Sequence, residues 1–165
     1  MKWIGIAIVI ISAIWFGNMK SLELKKSGDE LLKLTELLQD IERETRLYRK
    51  NLSEIFCLDE IKEKYKDLLF LAEFQDYIKQ DTQPDAIIKS LEKRPLLNKD
   101  ANKILKSFFL SMGNGDISEE LIKTEDCKEK LRDLFIISKR NYEKKGNLYK
   151  KLSFLFGTAL AILFI

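Results

Sequence analysis

Apolar side chains crowd the two ends of the chain and are spaced out between them. Positions 3–19 (WIGIAIVIISAIWFGNM) hold 17 residues without a charge, and positions 152–165 (LSFLFGTALAILFI) hold another 14. As helices these runs would extend about 25 Å and about 21 Å, against a bilayer hydrocarbon core of about 30 Å. Trp3 and Trp15 stand near the ends of the first run, where indole rings favour a membrane interface. A membrane helix over 1–19 is the expectation. A cleaved signal peptide competes, but Trp15 and Phe16 fill the place where its small cleavage-site residues belong. The second run is short. Lys150 and Lys151 can lay their stems along the membrane and keep their ammonium groups at the interface, bringing Leu148 and Tyr149 into the span. A second membrane helix over 152–165 is therefore expected, with a helix dipping into one leaflet as the competing reading.

Between the ends, Ser27-Gly28-Asp29 predicts a break and N-cap. Leu31, Leu34, Leu38, Ile41, Thr45, Tyr48, Leu52 and Ile55 then follow in steps of mostly three and four along one stripe of a long helix. The stripe fits one helix of a bundle within the chain; a coiled-coil seam to a partner is the alternative. Residues 59–80 predict a second helix with Ile61, Tyr65, Leu68, Leu69, Ala72 and Ile78 inward, and Phe70, Phe74 and Tyr77 widening its apolar surface. Thr82, Pro84 and Asp85 supply a cap, an early proline and a first-turn acid for a short helix carrying Ile87, Ile88 and Leu91, which should stop near Pro95. Asn98 or Asp100 can cap the next, with Ile104, Leu105, Phe108, Phe109 and Met112, ending at the turn Gly113-Asn114-Gly115-Asp116. From Ser118 the pattern runs through Leu121, Leu131, Leu134, Phe135, Ser138 and Tyr142 to Leu148 and Leu152, interrupted only by Gly146. The expected fold is all-α, a helical bundle over 20–151 between terminal transmembrane helices over 1–19 and 152–165.

Charge sharpens this division. Residues 20–151 hold 28 basic and 26 acidic side chains and the remaining 33 positions hold one, so a mean hydropathy of −0.20 averages two kinds of segment. A nearly balanced middle argues against nucleic acid as a partner, because phosphate binding needs uncompensated basic surface. Lys20, Lys25 and Lys26 follow the first run, while Lys139, Arg140, Lys144, Lys145, Lys150 and Lys151 precede the second. Basic flanks facing the middle place it in the cytoplasm and both termini outside, and two unpaired cysteines, Cys57 and Cys127, agree with that compartment. Ala13 and Gly17 in the first run, and Ser153, Gly157 and Ala161 in the second, recur every four residues. That spacing lets helix backbones approach closely in lipid and marks candidate packing faces.

The residues offer no catalytic, cofactor-binding or metal site. The chain has no histidine, which excludes Ser-His-Asp and Cys-His nucleophile activation, His-ligated zinc and imidazole pH switches. The cysteines lack CxxC spacing, and the glycine turn lacks the Lys-Ser/Thr pair of a phosphate loop, so no small-molecule substrate is indicated. Glu119-Glu120, Glu125-Asp126 and the run 42–50 read as solvated helix faces, because adjacent helical carboxylates diverge and no calcium-loop spacing is present. An enzyme would have to be a carboxylate-based hydrolase, and no pocket for one can be argued.

Three stretches carry a family resemblance: Lys2, Gly5 and Gly17 in the opening run, LKSFFLSMGNGD over 105–116, and KGNLYKKLSFLFG over 145–157 before a short apolar tail. In this layout the chain resembles the stage III sporulation protein AB family, relatives of the F-type platform proteins of type II secretion and type IV pilus systems. It departs from the pattern at Tyr48, followed by RKNLSEI rather than Thr-Pro-Leu, and at Glu119-Glu120, where a glutamine is usual. The resemblance implies an antiparallel helical bundle held at the mother-cell membrane. It implies a place in the channel complex joining mother cell and forespore, where the protein would relay the action of a cytoplasmic ATPase. Its partners would be that ATPase, other membrane proteins of the complex and the lipid bilayer, with self-association left open. No active site or cofactor comes with the resemblance.

Overall fold

With 2 prolines and 7 glycines in 165 residues, little in the chain interrupts helix propagation. A computed structural model describes residues 2–78, 83–112 and 116–163; the side chains at 2–7, 9–10, 83–84, 147, 150, 160–161 and 163 lie outside that description. Among the described residues every regular element is a helix: α1 (Lys2–Tyr48), α2 (Leu52–Cys57), α3 (Asp59–Lys64), α4 (Leu69–Tyr77), α5 (Gln83–Lys93), α6 (Lys99–Ser111), α7 (Ile117–Asn141), a π-helical turn (Tyr142–Gly146) and α8 (Asn147–Leu163). The packing forms two units, Met1–Gly28 with Ile136–Ile165, and Asp29–Phe135.

The second unit holds the main apolar core. Leu31, Leu34, Leu38 and Ile41 of α1 are at most 1% exposed and lie in one cluster with Ile55, Phe56, Tyr65, Phe74, Leu105 and Leu131. The Phe56 ring meets Phe74 edge-on with centroids 5.0 Å apart and sits 5.9 Å from Phe109, an arrangement that suits the charge distribution of aromatic rings. Because the Leu31 stripe is closed inside this unit, it offers no coiled-coil seam to a second chain.

Several boundaries differ from the periodicity. No break occurs at Ser27-Gly28-Asp29: α1 runs through it. A helical glycine costs only about 1 kcal/mol relative to alanine, and Gly28 is buried beside Ser138, where a β-carbon would lie at ordinary contact distance, 3.7 Å from Ser138 Oγ. The stripe does not continue along α1 past Tyr48, which is 62% exposed. Arg49 takes a left-handed φ of 54° and Asn51 starts α2. The Asn51 side chain accepts from the Glu54 amide at 2.9 Å while the Glu54 carboxylate accepts from the Asn51 amide at 3.3 Å, a reciprocal capping box. Leu52 and Ile55 thus reach the core from a separate helix. The expected helix over 59–80 breaks at a turn after Lys64, where the Leu68 amide bonds the Tyr65 carbonyl at 2.9 Å. The break shifts the register, so Phe70, Leu71 and Phe74 turn inward while Leu69 and Ala72 are exposed.

Further along, α5 stops at Lys93 before Pro95, and Asn98 rather than Asp100 caps α6, accepting from the Asp100 and Ala101 amides at 2.9 and 3.1 Å. Thr82, Gln80 and the glycine turn at Gly113, Asn114 and Gly115 lie outside the described residues. Among the described residues no helix is long and apolar enough to cross a membrane. The charge-free run ends at Lys20, early in a 47-residue helix, and α8 counts 17 residues with Lys150 and Lys151 among them.

Candidate functional site

In the first unit α1 and the α7–α8 stretch run antiparallel, and at three levels a glycine of one faces a serine of the other. A Cβ built on Gly17 would lie 2.6 Å from Ser153 Cβ and 3.0 Å from the Tyr149 carbonyl oxygen, and nearer still to Ser153 Oγ. On Gly146 it would lie 3.1 Å from Ser21 Oγ and 3.0 Å from Tyr142 Cδ2; on Gly28 it would lie 3.7 Å from Ser138 Oγ. Ser21 and Ser138 are buried, as are the three glycines. Glycine permits the close approach at Gly17, because a β-carbon there would overlap Ser153 Cβ and press on the Tyr149 carbonyl.

The π-helical turn keeps these contacts on one face. Ser138 and Gly146 are 8 residues apart, and Gly146 and Ser153 are 7. At about 100° per residue an α-helix would carry Gly146 about 80° past Ser138. The wider turn over Tyr142–Gly146 absorbs the extra residue, so the seam stays aligned.

Of the expected packing residues, Gly17 and Ser153 are brought together, Gly157 is buried in α8, and Ala13 is half-buried. Ala161 belongs to α8, with its side chain outside the description. Ser21, Gly28, Ser138 and Gly146 also line the seam, although the small-residue spacing does not mark them as packing residues. Ser21 extends the four-residue spacing of Ala13 and Gly17, but it follows Lys20 and so falls beyond the apolar run. Facing outward are apolar side chains: Ile11, Trp15, Phe16 and Met19 on α1 and Phe154, Leu155 and Phe156 on α8 are each more than half exposed. The flanking Lys20, Lys25, Lys26, Lys144, Lys145 and Lys151 are exposed, as are Lys139 and Arg140; the Lys150 side chain lies outside the description.

The second unit contains a charged network that corrects part of the reading of 42–50 as a solvated face: Arg43 and residues 46–49 are exposed, but Glu44 and Thr45 are buried. Asp40 and Glu44 are buried on α1. Asp40 accepts from Tyr65 Oη at 2.7 Å and from Lys64 Nζ at 2.6 Å, with Arg43 at 3.2 Å. Burial alone would raise the Asp40 carboxyl, but these donors outweigh it and hold it below the usual carboxylate range. Hydrogen bonds from Lys128 and from Lys50 lower Glu42 and Glu44 in the same way. A hollow of about 460 Å³ beside them is lined by Asp40, Glu42, Arg43, Arg46 and Lys128. Its acids are ion-paired, an arrangement suited to holding α1 rather than to moving protons. Glu119, Glu125 and Asp126 pair with Lys123, Lys128 and Lys130 along α7. Among the described residues no group of three or more Cys, Asp or Glu is placed to hold a metal ion.

Compared with known proteins, a family model described as stage III sporulation protein AB matches residues 2–165. No curated protein and no solved structure matches the chain.

Proposed function

The chain belongs to the stage III sporulation protein AB family, and on that premise we propose that it is a membrane-held scaffold of the channel complex between mother cell and forespore. It would couple a cytoplasmic ATPase to the membrane components through protein contacts, with no chemistry of its own. The apolar parts of α1 and α8 insert as a pair, residues 20–151 face the cytoplasm and both termini lie outside. The observation that carries this reading is the outward apolar surface on both helices of the Gly17–Ser153 pair. A helix pair joined by small residues and apolar outside needs a nonpolar surrounding. The short apolar lengths are met by local bilayer thinning and by lysine stems reaching the interface.

The test is labelling with a membrane-impermeant maleimide. Cys57 is exposed, whereas Cys127 is buried and burial pushes its thiol up to about 12, so Cys57 reports alone. Single cysteines added at either terminus should label in intact cells, and Cys57 only after permeabilisation. Labelling of Cys57 in intact cells overturns the topology. Failure of the full chain to co-purify with any ATPase from sporulating cells overturns the coupling.

A further inference from the structure

We propose that the first unit carries a binding surface for anionic lipid headgroups, a collar of basic side chains around the helix pair; the proposal rests on the membrane reading above. Grouped by packing rather than by chain order, the charges are unevenly shared. Met1–Gly28 with Ile136–Ile165 holds 10 basic and 2 acidic residues, a net +8, whereas Asp29–Phe135 holds 19 and 24, a net −5. The near-neutral total conceals this division.

The two units also differ in how their cations are used. In the second, at least 14 of the 19 basic residues make ion pairs among the described residues, from Lys33 with Asp67 to Lys130 with Asp126. In the first, eight basic side chains are described and all are exposed: Lys20, Lys25 and Lys26 on α1, and five between Lys139 and Lys151. Among the described residues Lys20 alone of these meets a carboxylate, Glu23 at 2.9 Å. Seven exposed cations on one helix pair repel each other unless an outside anion is near.

Their position identifies the anion. Lys20 follows Gly17 by three residues, Lys151 follows Tyr149, whose carbonyl abuts Gly17, and Lys144 and Lys145 adjoin Gly146 beside Ser21. The collar therefore begins where the outward apolar surface ends. From Lys20 to Lys26 it covers about 9 Å of helix, within one Debye length, about 10 Å at 0.1 M salt, of a surface at its upper edge. Cations directly next to a lipid-facing apolar surface suit the phosphates of an acidic leaflet. A soluble polyanion would need the cations alone and leaves the adjoining apolar surface unused.

The full chain, diluted from detergent, is floated with vesicles of phosphatidylcholine alone or with about one third phosphatidylglycerol. Recovery with the acidic vesicles should exceed that with neutral ones about tenfold at about 0.1 M salt, and the excess should vanish at about 1 M, where the Debye length is about 3 Å. Replacing four cations together (K25Q, K26Q, K144Q, K145Q) should remove most of the excess while flotation with neutral vesicles persists. Equal recovery on both vesicles at low salt overturns the collar but leaves membrane insertion standing. An excess that is insensitive to salt, or abolished by inorganic phosphate at matched ionic strength, overturns headgroup binding as well. Absence of flotation on any vesicle overturns the membrane reading and the collar with it. The salt comparison uses the unaltered chain, so it decides even if the variant misfolds.

Discussion

The Tyr65 hydroxyl donates to the Asp40 carboxylate at 2.7 Å, tying the turn after α3 to the C-terminal third of α1. Burial, followed by this bond and the charge of Asp40, pushes the Tyr65 hydroxyl above its ordinary range, which favours its protonated, donating form. Tyr65→Phe keeps the ring in the core and removes one bond to a buried charge. Stability should fall by about 2 kcal/mol, read as a lower thermal midpoint of the full chain in detergent by circular dichroism. An unchanged midpoint would mean that Lys64 and Arg43 satisfy Asp40 by themselves.

Acid should loosen the same region. Asp40, Glu42 and Glu44 all have depressed carboxyl values in the folded chain. Groups of this kind contribute stability above their unfolded value, about 4, and lose it as pH falls through the folded one. The thermal midpoint should be flat from pH 7 to about 5 and drop below about 4. Asp40→Asn should lower the midpoint at pH 7 and soften the drop; an equally steep acid transition in that variant would remove Asp40 from the account.

At the Gly17–Ser153 contact the test is an exchange of sizes. Gly17→Ala drives a methyl into Ser153 and the Tyr149 carbonyl, at a cost of about 1–3 kcal/mol. Ser153→Gly in the same chain should recover part of it, a coupling that distant sites do not show. Additive losses in the double variant would mean the helices do not meet at this level.

The Asn51 capping box predicts a local effect. Asn51→Ala should cost about 1 kcal/mol and speed amide exchange across Leu52–Cys57, while Asn51→Ser should retain most protection. Uniform exchange rates in all three chains would count against the cap.

The π turn makes a prediction about length. Deleting Lys144 should convert Tyr142–Gly146 to regular α-helix and bring Ser138 and Gly146 seven residues apart, with the seam preserved. Inserting an alanine there should rotate Ser153 about 100° from Gly17 and cost far more in thermal midpoint. A deletion as harmful as the insertion would show that the turn has another task.

Much of the helical content was legible in the residues, and for a simple reason. Helix spacing, scarce prolines and local caps such as Asn98 act within a few positions, so the sequence marks them directly. The interruptions at Arg49 and Tyr65 were not legible, because each depends on a partner elsewhere: the core that takes Leu52 from a separate helix, and Asp40, which lies 25 positions before the tyrosine that binds it. Gly28 shows the reverse error, since a residue that looks like a stop is helical where it is buried beside a distant Ser138 and the helix continues on both sides.

The sequence by itself determined the helical class, the apolar ends, the family and the absence of histidine chemistry. It also marked Gly17 and Ser153 as small residues on helical faces. Tertiary structure decided that these two meet each other, that Ser21 and Gly146 join them, that Asp40 is buried rather than solvated, and that a near-neutral chain divides into units of +8 and −5. Periodicity reports how a residue is turned about its own helix axis. Which helix stands opposite, and whose charges it brings, depends on pairings between positions far apart in the chain, and these form only when the chain folds.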